Sequence, residues 1–146
     1  MSGRPGSTRE LNFYRLAGEL VGKPFTLALV DMPGFGFARL SKEEREDISR
    51  LSVTFLRERN RLQAVILLND CRRAPKEDEY AIQKLCADEG LASIIVLTKF
   101  DTLRQNDKQK ALRDVARGYN LVPEDLLITG EGISIEPVWE RILAVL

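Results

Sequence analysis

The chain alternates between short apolar runs of strand length and longer stretches with apolar residues at helical spacing. Segments 11–20 and 25–30 flank the turn-forming Gly22-Lys23-Pro24, which predicts an antiparallel hairpin. Buried strands are predicted at three further apolar runs, 64–68, 92–97 and 126–128.

Four amphipathic stretches predict helices. The first begins with a capping box formed by Ser41 and Glu44 and runs to about Asn60. Pro75 is expected in the first turn of the second, and Asp107 as the N-cap of the third. The last is expected at 135–146. Because the strands and helices alternate, we expect an α/β three-layer fold in a single domain over residues 1–146.

The apolar face of the first helix is predicted from helical spacing, at Ile48, Leu51, Phe55 and Leu56.

Composition narrows the functional classes. Hydrophobic residues make up 44% and charged residues 30% of 146 residues, as is ordinary for a globular protein. Basic and acidic residues number 22 each, so no global field favours DNA or a membrane. No apolar run has membrane-spanning length and no secretory segment opens the chain. Cys71 and Cys86 have no metal-ligand spacing, and we expect both to be reduced core cysteines of a cytoplasmic protein. The chain has no histidine, which excludes Ser-His and Cys-His catalysis.

The first candidate for chemistry is the loop Asp31-Met32-Pro33-Gly34, directly after an apolar strand. In open α/β sheets, ligands bind at the carboxyl ends of strands. The Asp31 carboxylate could hold a metal-bound water, while the Gly34 N–H approaches a terminal phosphate without a side chain in the way. An ordinary turn would use the same residue types, so this loop alone does not distinguish a phosphate- and magnesium-binding loop from a turn.

The second candidate is the loop Thr98-Lys99-Phe100-Asp101, which also follows an apolar strand. The Asp101 carboxylate could accept hydrogen bonds from guanine N1–H and the 2-amino group, donors that adenine lacks. The Lys99 stem could cover the base. The alternative is a strand end with a solvated lysine and a helix-capping aspartate. Two such loops in this order, each after a strand, favour a guanine-nucleotide site.

The chain resembles the EngB (YihA/YsxC) GTPases, a family of the translation-factor-like class of P-loop G proteins. Three runs carry the resemblance: LVDMPGFGFARLSKEER, LNDCRRAPKEDE and VLTKFD. The resemblance implies a P-loop GTPase-type mixed sheet with helices on both faces, and GTP and Mg²⁺ as ligands. It also implies a role in assembly of the large ribosomal subunit, with ribosomal RNA as a partner, and in normal division septum formation.

The resemblance extends the site. Gly6-Ser7-Thr8-Arg9 resembles a switch segment in which Thr8 would reach magnesium, although Ser7 replaces a basic residue and Arg9 a glutamine. A disordered tail remains the alternative there. Thr129-Gly130, after Ile128, stands where the family contacts guanine O6 through a backbone N–H. The implied magnesium contacts are Thr8 and, through water, Asp31. The implied nucleotide site comprises Gly6, Ser7, Thr8, Arg9, Asp31, Met32, Pro33, Gly34, Thr98, Lys99, Phe100, Asp101, Ile128, Thr129 and Gly130.

One element of the family is missing from the sequence, because no Gly-x-x-x-x-Gly-Lys-Ser/Thr phosphate loop occurs. Ala17-x-x-x-x-Gly22-Lys23-Pro24 comes near it, but Pro24 has neither a hydroxyl nor an N–H, and a strand follows rather than a helix. The resemblance thus implies a domain without its first strand and phosphate-loop helix, and Met1 as an internal start. The strands ending at Asp31 and Asn69 should then each have an unpaired edge.

Two functions remain open from the sequence. The first is a GTP-binding protein with slow, partner-dependent hydrolysis, since Phe35 follows Gly34 where many G proteins have a water-orienting glutamine. The second is a truncated interaction remnant without productive nucleotide binding. Whether the chain is itself an enzyme stays open at this point.

Overall fold

The computed structural model describes residues 10–34, 41–58 and 61–146. The chain divides into two compact units, with the boundary between Phe55 and Leu56. The expectation of a single domain remains a prediction, and the two units are described one after the other.

The first unit contains an antiparallel hairpin of β1 (Asn12–Leu20) and β2 (Lys23–Asp31), as predicted. The turn was placed wrongly, because its two residues are Val21 and Gly22, and β2 already begins at Lys23. Both turn residues have positive φ, 50° and 74°, which matches the twist of a two-residue hairpin. The run from Ala17 to Pro24, which comes near a phosphate-loop motif, lies in this hairpin. It is followed by the rest of β2 and not by a helix, as expected.

Helix α1 (Lys42–Glu58) begins directly after Ser41, as predicted. The side chain of Glu44, the other member of the predicted capping box, lies outside the described part of the chain. Leu51 was predicted on the inner face but is exposed. The buried positions lie four, seven and eight residues after Ile48, whereas Leu51 lies three residues after it. Among the described side chains of α1, the buried ones are Ile48, Ser52, Phe55 and Leu56.

The second unit is built on a parallel sheet of β3 (Ala64–Asp70), β4 (Ala92–Thr98) and β5 (Leu127–Ile128), in that order. Among the described residues β3 pairs with β4 alone, and β2 pairs with β1 alone. The two edges that the sequence predicted to be unpaired are therefore unpaired in the described part of the chain.

Within the described residues of the second unit, three α-helices lie wholly inside it: α2 (Glu77–Asp88), α3 (Gln105–Gly118) and α4 (Glu136–Ala144). Pro75 was wrongly placed in the first turn of α2, whose N-cap is Lys76, with its N–H bonded to the Glu79 carboxylate. Asp107 was wrongly placed as the N-cap of α3, which is Arg104. Asp107 instead lies in the first turn, where a negative charge is favourable.

The parallel sheet is covered on both faces. Ile94 and Val96 of β4 pack with Val138 of α4, together with the neighbouring Ile142. The opposite face of β4 carries Ile95 and Leu97, which are also buried. Helices α2 and α3 connect successive strands in the same direction across the sheet, so crossovers of the usual right hand would place both on one face. The predicted α/β fold class is thereby confirmed.

Candidate functional site

The adjacent parallel strands β3 and β4 end side by side. Asp70, the last residue of β3, stands opposite Thr98, the last residue of β4. The Cys71 N–H continues the ladder by donating to the Thr98 carbonyl at 3.1 Å. Loops that leave neighbouring strands at the same edge are the usual place for ligands in α/β sheets. Residues 70–73 and the predicted Thr98–Asp101 loop therefore share one edge.

The Lys99 backbone has a left-handed conformation, with φ of 61°. This region is uncommon for residues with a long side chain and costs about 1–2 kcal/mol. Three donors hold the conformation by bonding to the Lys99 carbonyl. They are Thr102 N at 3.0 Å, Thr102 Oγ1 at 2.7 Å and Cys71 Sγ at 3.2 Å. Lys99 is thus fixed by the loop around it.

The Thr98–Asp101 loop is bonded to the residues that follow β5. Phe100 N–H donates to the Thr129 carbonyl at 3.0 Å, and Thr129 N–H donates to the Leu97 carbonyl at 2.8 Å. The Phe100 ring is buried, and the Lys108 ammonium lies 5.6 Å from its centroid. The loop and the Ile128–Gly130 segment, which the sequence assigned to the same site, are therefore in direct contact.

Asp101 and Gly130 approach each other closely. A Cβ on Gly130 would lie 2.9 Å from the Asp101 backbone nitrogen and would also collide with the Asp101 carboxylate. Glycine is required here for space, because the nearest atoms include backbone. The Asp101 side chain itself is exposed, so its oxygens are accessible to a ligand.

Asp70 is the centre of a cluster of charges. Its Oδ1 accepts hydrogen bonds from Arg72 N at 3.1 Å and Arg72 Nε at 2.8 Å. Its Oδ2 accepts from Arg72 Nη2 at 2.6 Å and from Lys99 Nζ at 3.0 Å. The Arg72 hydrogen bonds hold the pKa of the Asp70 carboxyl well below its usual range, with a smaller contribution from Lys99. Arg72 and Asp70 thus form an ion pair within the loop that follows β3.

A buried polar network lies next to this cluster. Asn69 is fully buried, and its Nδ2 donates to the carbonyls of Asp70 and Arg73 at 2.9 and 3.0 Å. Its Oδ1 accepts from the Tyr119 hydroxyl at 3.3 Å, and burial raises the pKa of that phenol. The network anchors the turn after β3 to the end of α3.

The predicted phosphate-side residues belong to the first unit. Asp31 ends β2 with an exposed side chain, Pro33 is buried, and Gly34 is exposed. The described residues contain no group of three or more carboxylate, thiol or imidazole ligands. A single accessible carboxylate still fits Mg²⁺, which keeps several waters and takes one or two protein ligands. The predicted residues Gly6, Ser7, Thr8, Arg9 and Phe35 lie outside the described part of the chain.

Three features of the site were not predicted from the sequence. Cys71 was predicted to be a core cysteine and is buried, but the hydrogen bond from its thiol to the Lys99 carbonyl was not predicted. The Lys99–Asp70 ion pair and the close approach of Gly130 to Asp101 were also missed. A signal for the ion pair was available, since Asp70 and Lys99 leave neighbouring strands.

The helices within the described ranges include none with the length and apolar character needed to cross a membrane.

Comparison with known proteins gives relatives along most of the chain. A relative from Geobacillus sp. (strain WCH70) is 36% identical over 136 residues, covering 90% of this chain and 67% of the relative. One from Shouchella clausii (strain KSM-K16) is 34% identical over 145 residues, covering 97% and 70%. One from Bacillus subtilis (strain 168) is 36% identical over 127 residues, covering 87% and 62%. Each of the three is called "Probable GTP-binding protein EngB". No protein-family model matches the chain.

The fold has a counterpart among solved structures. A crystal structure of "a probable GTP-binding protein engB" superposes with a TM-score of 0.68 at 18% identity, covering 94% of this chain and 84% of that one. This likeness supports the fold, while the relatives from Geobacillus sp. and Shouchella clausii, of 36% and 34% identity, carry the family assignment. The chain spans about two thirds of the length of these relatives. On these grounds, the chain belongs to the EngB family.

Proposed function

We propose that the chain binds guanine nucleotides through the Thr98–Asp101 loop and the adjacent Ile128–Gly130 segment. The observation that carries the proposal is the accessible Asp101 carboxylate, set against Gly130 at the carboxyl edge of the sheet. The names of the relatives, which describe probable GTP-binding proteins, support the same function.

The selectivity follows from the chemistry of the carboxylate. Asp101 accepts the guanine N1–H and 2-amino donors, and adenine would leave a charged acceptor unpaired. Lys99 lies alongside the base with its stem, and the backbone at Gly130 faces guanine O6. Because Phe100 is buried and Lys99 is bonded on its carbonyl, the loop is arranged before any ligand arrives.

The phosphate side of the proposal rests on Asp31 and Gly34, with Mg²⁺ as the metal. Asp31 would hold a magnesium-bound water, and the exposed Gly34 would admit a terminal phosphate. Thr8 would be the second magnesium contact. Magnesium would supply charge neutralisation between the phosphate oxygens.

The wider role is proposed from the resemblance to the family. The nucleotide would be GTP, the location the cytoplasm, and the partner the maturing large ribosomal subunit with its RNA, with an effect on division septum formation. Hydrolysis would be slow and dependent on this partner, because Phe35 cannot orient a water. Single-turnover hydrolysis by a protein carrying a phosphate loop should therefore speed up when large subunits are added, and fast hydrolysis without them would contradict the proposal.

The binding proposal is tested by competition among GTP, ATP and XTP. The unmodified chain should prefer GTP, and Asp101→Asn should shift the preference toward XTP, because the amide offers a donor to the xanthine 2-oxo group. Asp114→Asn, an exposed aspartate in the middle of α3, serves as the control and should leave the order unchanged. Equal affinity of the unmodified chain for GTP and ATP would refute the proposal.

A further inference from the structure

We propose that Asp70, itself held by Arg72, is a positioning residue that keeps the Lys99 side chain extended over the guanine base site. This inference rests on the proposed function, since it assigns a role to a residue outside the Thr98–Asp101 loop. It concerns how the lysine is held before the nucleotide binds.

The Asp70 carboxylate is fixed before Lys99 is considered. Arg72 donates to it from Nε, Nη2 and the backbone N–H, so both oxygens are engaged by one planar guanidinium. The Asp70 side chain is only 19% exposed, whereas Arg72 is 55% exposed. A carboxylate held in this way has a defined orientation and retains a free lone pair on Oδ2.

The Lys99 ammonium occupies that remaining position at 3.0 Å. Its side chain is 56% exposed, so packing alone would not keep a four-carbon stem in one conformation. Hydrogen bonds on the Lys99 carbonyl hold its backbone, and Asp70 holds the ammonium at the other end of the stem. The lysine is therefore restrained at both ends, and less rotamer entropy is lost when a base binds beneath it.

The charge of the cluster is compatible with this role. One carboxylate lies between two cations, so one net positive charge remains near the nucleotide. The left-handed conformation of Lys99 agrees with this role, because strained backbone conformations that are held by their surroundings cluster at ligand-binding sites. The opposite role, in which Asp70 holds Lys99 away from the nucleotide, predicts that Asp70→Asn raises the affinity for the nucleotide.

The test is a double-mutant cycle. The affinity of each variant of the 146-residue chain for guanosine diphosphate is measured by NMR titration. Asp70→Asn keeps the size of the side chain and removes its charge, so the affinity should fall about twofold to fivefold, as for an exposed ion pair. In a Lys99→Met background, Asp70→Asn should change the affinity little, because the group through which it acts is gone.

A matched control comes from α2, where Lys84 Nζ and Asp88 Oδ2 form an exposed ion pair at 2.8 Å. Asp88→Asn should leave the affinity unchanged. Thermal unfolding of each variant shows whether the fold is kept. If Asp70→Asn does not fold, Arg72→Gln takes its place, with a smaller loss that should also vanish in the Lys99→Met background.

Three results would overturn the inference. An equal loss of affinity with and without Lys99 would mean that Asp70 acts only on the structure. Tighter binding by Asp70→Asn would mean that Asp70 withholds the lysine. No binding of guanosine diphosphate by the unmodified chain would refute the proposed function and the inference with it, whereas the first two results leave the proposed function standing.

Discussion

Gly130 makes the sharpest prediction at the scale of single residues. Gly130→Ala places a methyl group against the Asp101 carboxylate and 2.9 Å from its backbone nitrogen. Overpacking of this kind costs about 1–3 kcal/mol, and if that strain falls on the bound conformation, guanine-nucleotide affinity should fall about fivefold to a hundredfold. In an Asp101→Ala background the further loss should be smaller but not absent, because the carboxylate is gone while the contact with the backbone nitrogen of residue 101 remains. An equal loss in both backgrounds would show that Gly130 does not act through the Asp101 carboxylate.

Tyr119 gives a prediction about pH. Burial raises the pKa of its phenol, so the folded chain holds this proton to a higher pH than the unfolded chain. The contribution to the free energy of unfolding is therefore intact below about pH 10 and is lost as the pH rises toward the folded-state pKa. Tyr119→Phe leaves Asn69 Oδ1 without its partner, which should cost about 1–2 kcal/mol at neutral pH.

The unmodified chain and Tyr119→Phe should differ less in their free energy of unfolding as the pH rises above about 10. Only the unfolded state of the unmodified chain is stabilised when the phenol of residue 119 ionises. Chemical denaturation of both proteins at a series of alkaline pH values measures this difference. A difference that stays constant with pH would contradict the role assigned to burial of Tyr119.

The sequence was informative about residue chemistry and silent about how residues meet in space. Asp101 and Lys99 could be identified because their types and their place after a strand restrict what they can bind. The two neighbouring strand ends bring Asp70 and Lys99 to one edge, but their contact and the left-handed backbone of Lys99 are details that no residue type there predicts. The approach of Gly130 to Asp101 likewise depends on how two loops meet after folding.

The hairpin turn gives a prediction at the scale of elements. Val21 is 87% exposed, and its φ of 50° is unfavourable for a β-branched side chain. Val21→Asn should stabilise the β1–β2 hairpin by about 1 kcal/mol, because asparagine tolerates this conformation in a turn followed by glycine. Hydrogen exchange of the hairpin amides measures the change. Val21→Thr keeps the branching and should gain less, and an equal gain for both would contradict the explanation by strain.

Strands were predicted more accurately than helix starts, for a physical reason. The run at 92–97 lies within β4 and the run at 64–68 within β3, since burial on both faces gives a continuous apolar signal. The start of α2 was predicted from Pro75, which stands close to the helix but outside it. Proline and aspartate are favoured at several positions around a helix N-terminus, so each fixes the boundary only within a few residues.

At the scale of the whole molecule, the sequence predicts weak nucleotide binding. A protein in which a strand and a Gly-x-x-x-x-Gly-Lys-Ser phosphate loop are fused before this chain should bind GTP on the order of a thousandfold more tightly than the chain alone. Each hydrogen bond that the added loop donates to a phosphate is charge-assisted and contributes roughly 1.5–3 kcal/mol. Isothermal calorimetry on both proteins measures the difference, and micromolar affinity of the 146-residue chain alone would contradict it.

The position of β4 has a consequence for the kinetics of binding. Ile94, Ile95, Val96 and Leu97 are each at most 4% exposed, and β4 has a neighbour on both sides. Such a strand opens least often, and the Thr98–Asp101 loop leaves it directly. A ligand that meets this loop finds it already ordered, so its association rate should be set by diffusion and orientation rather than by a slow rearrangement of the protein.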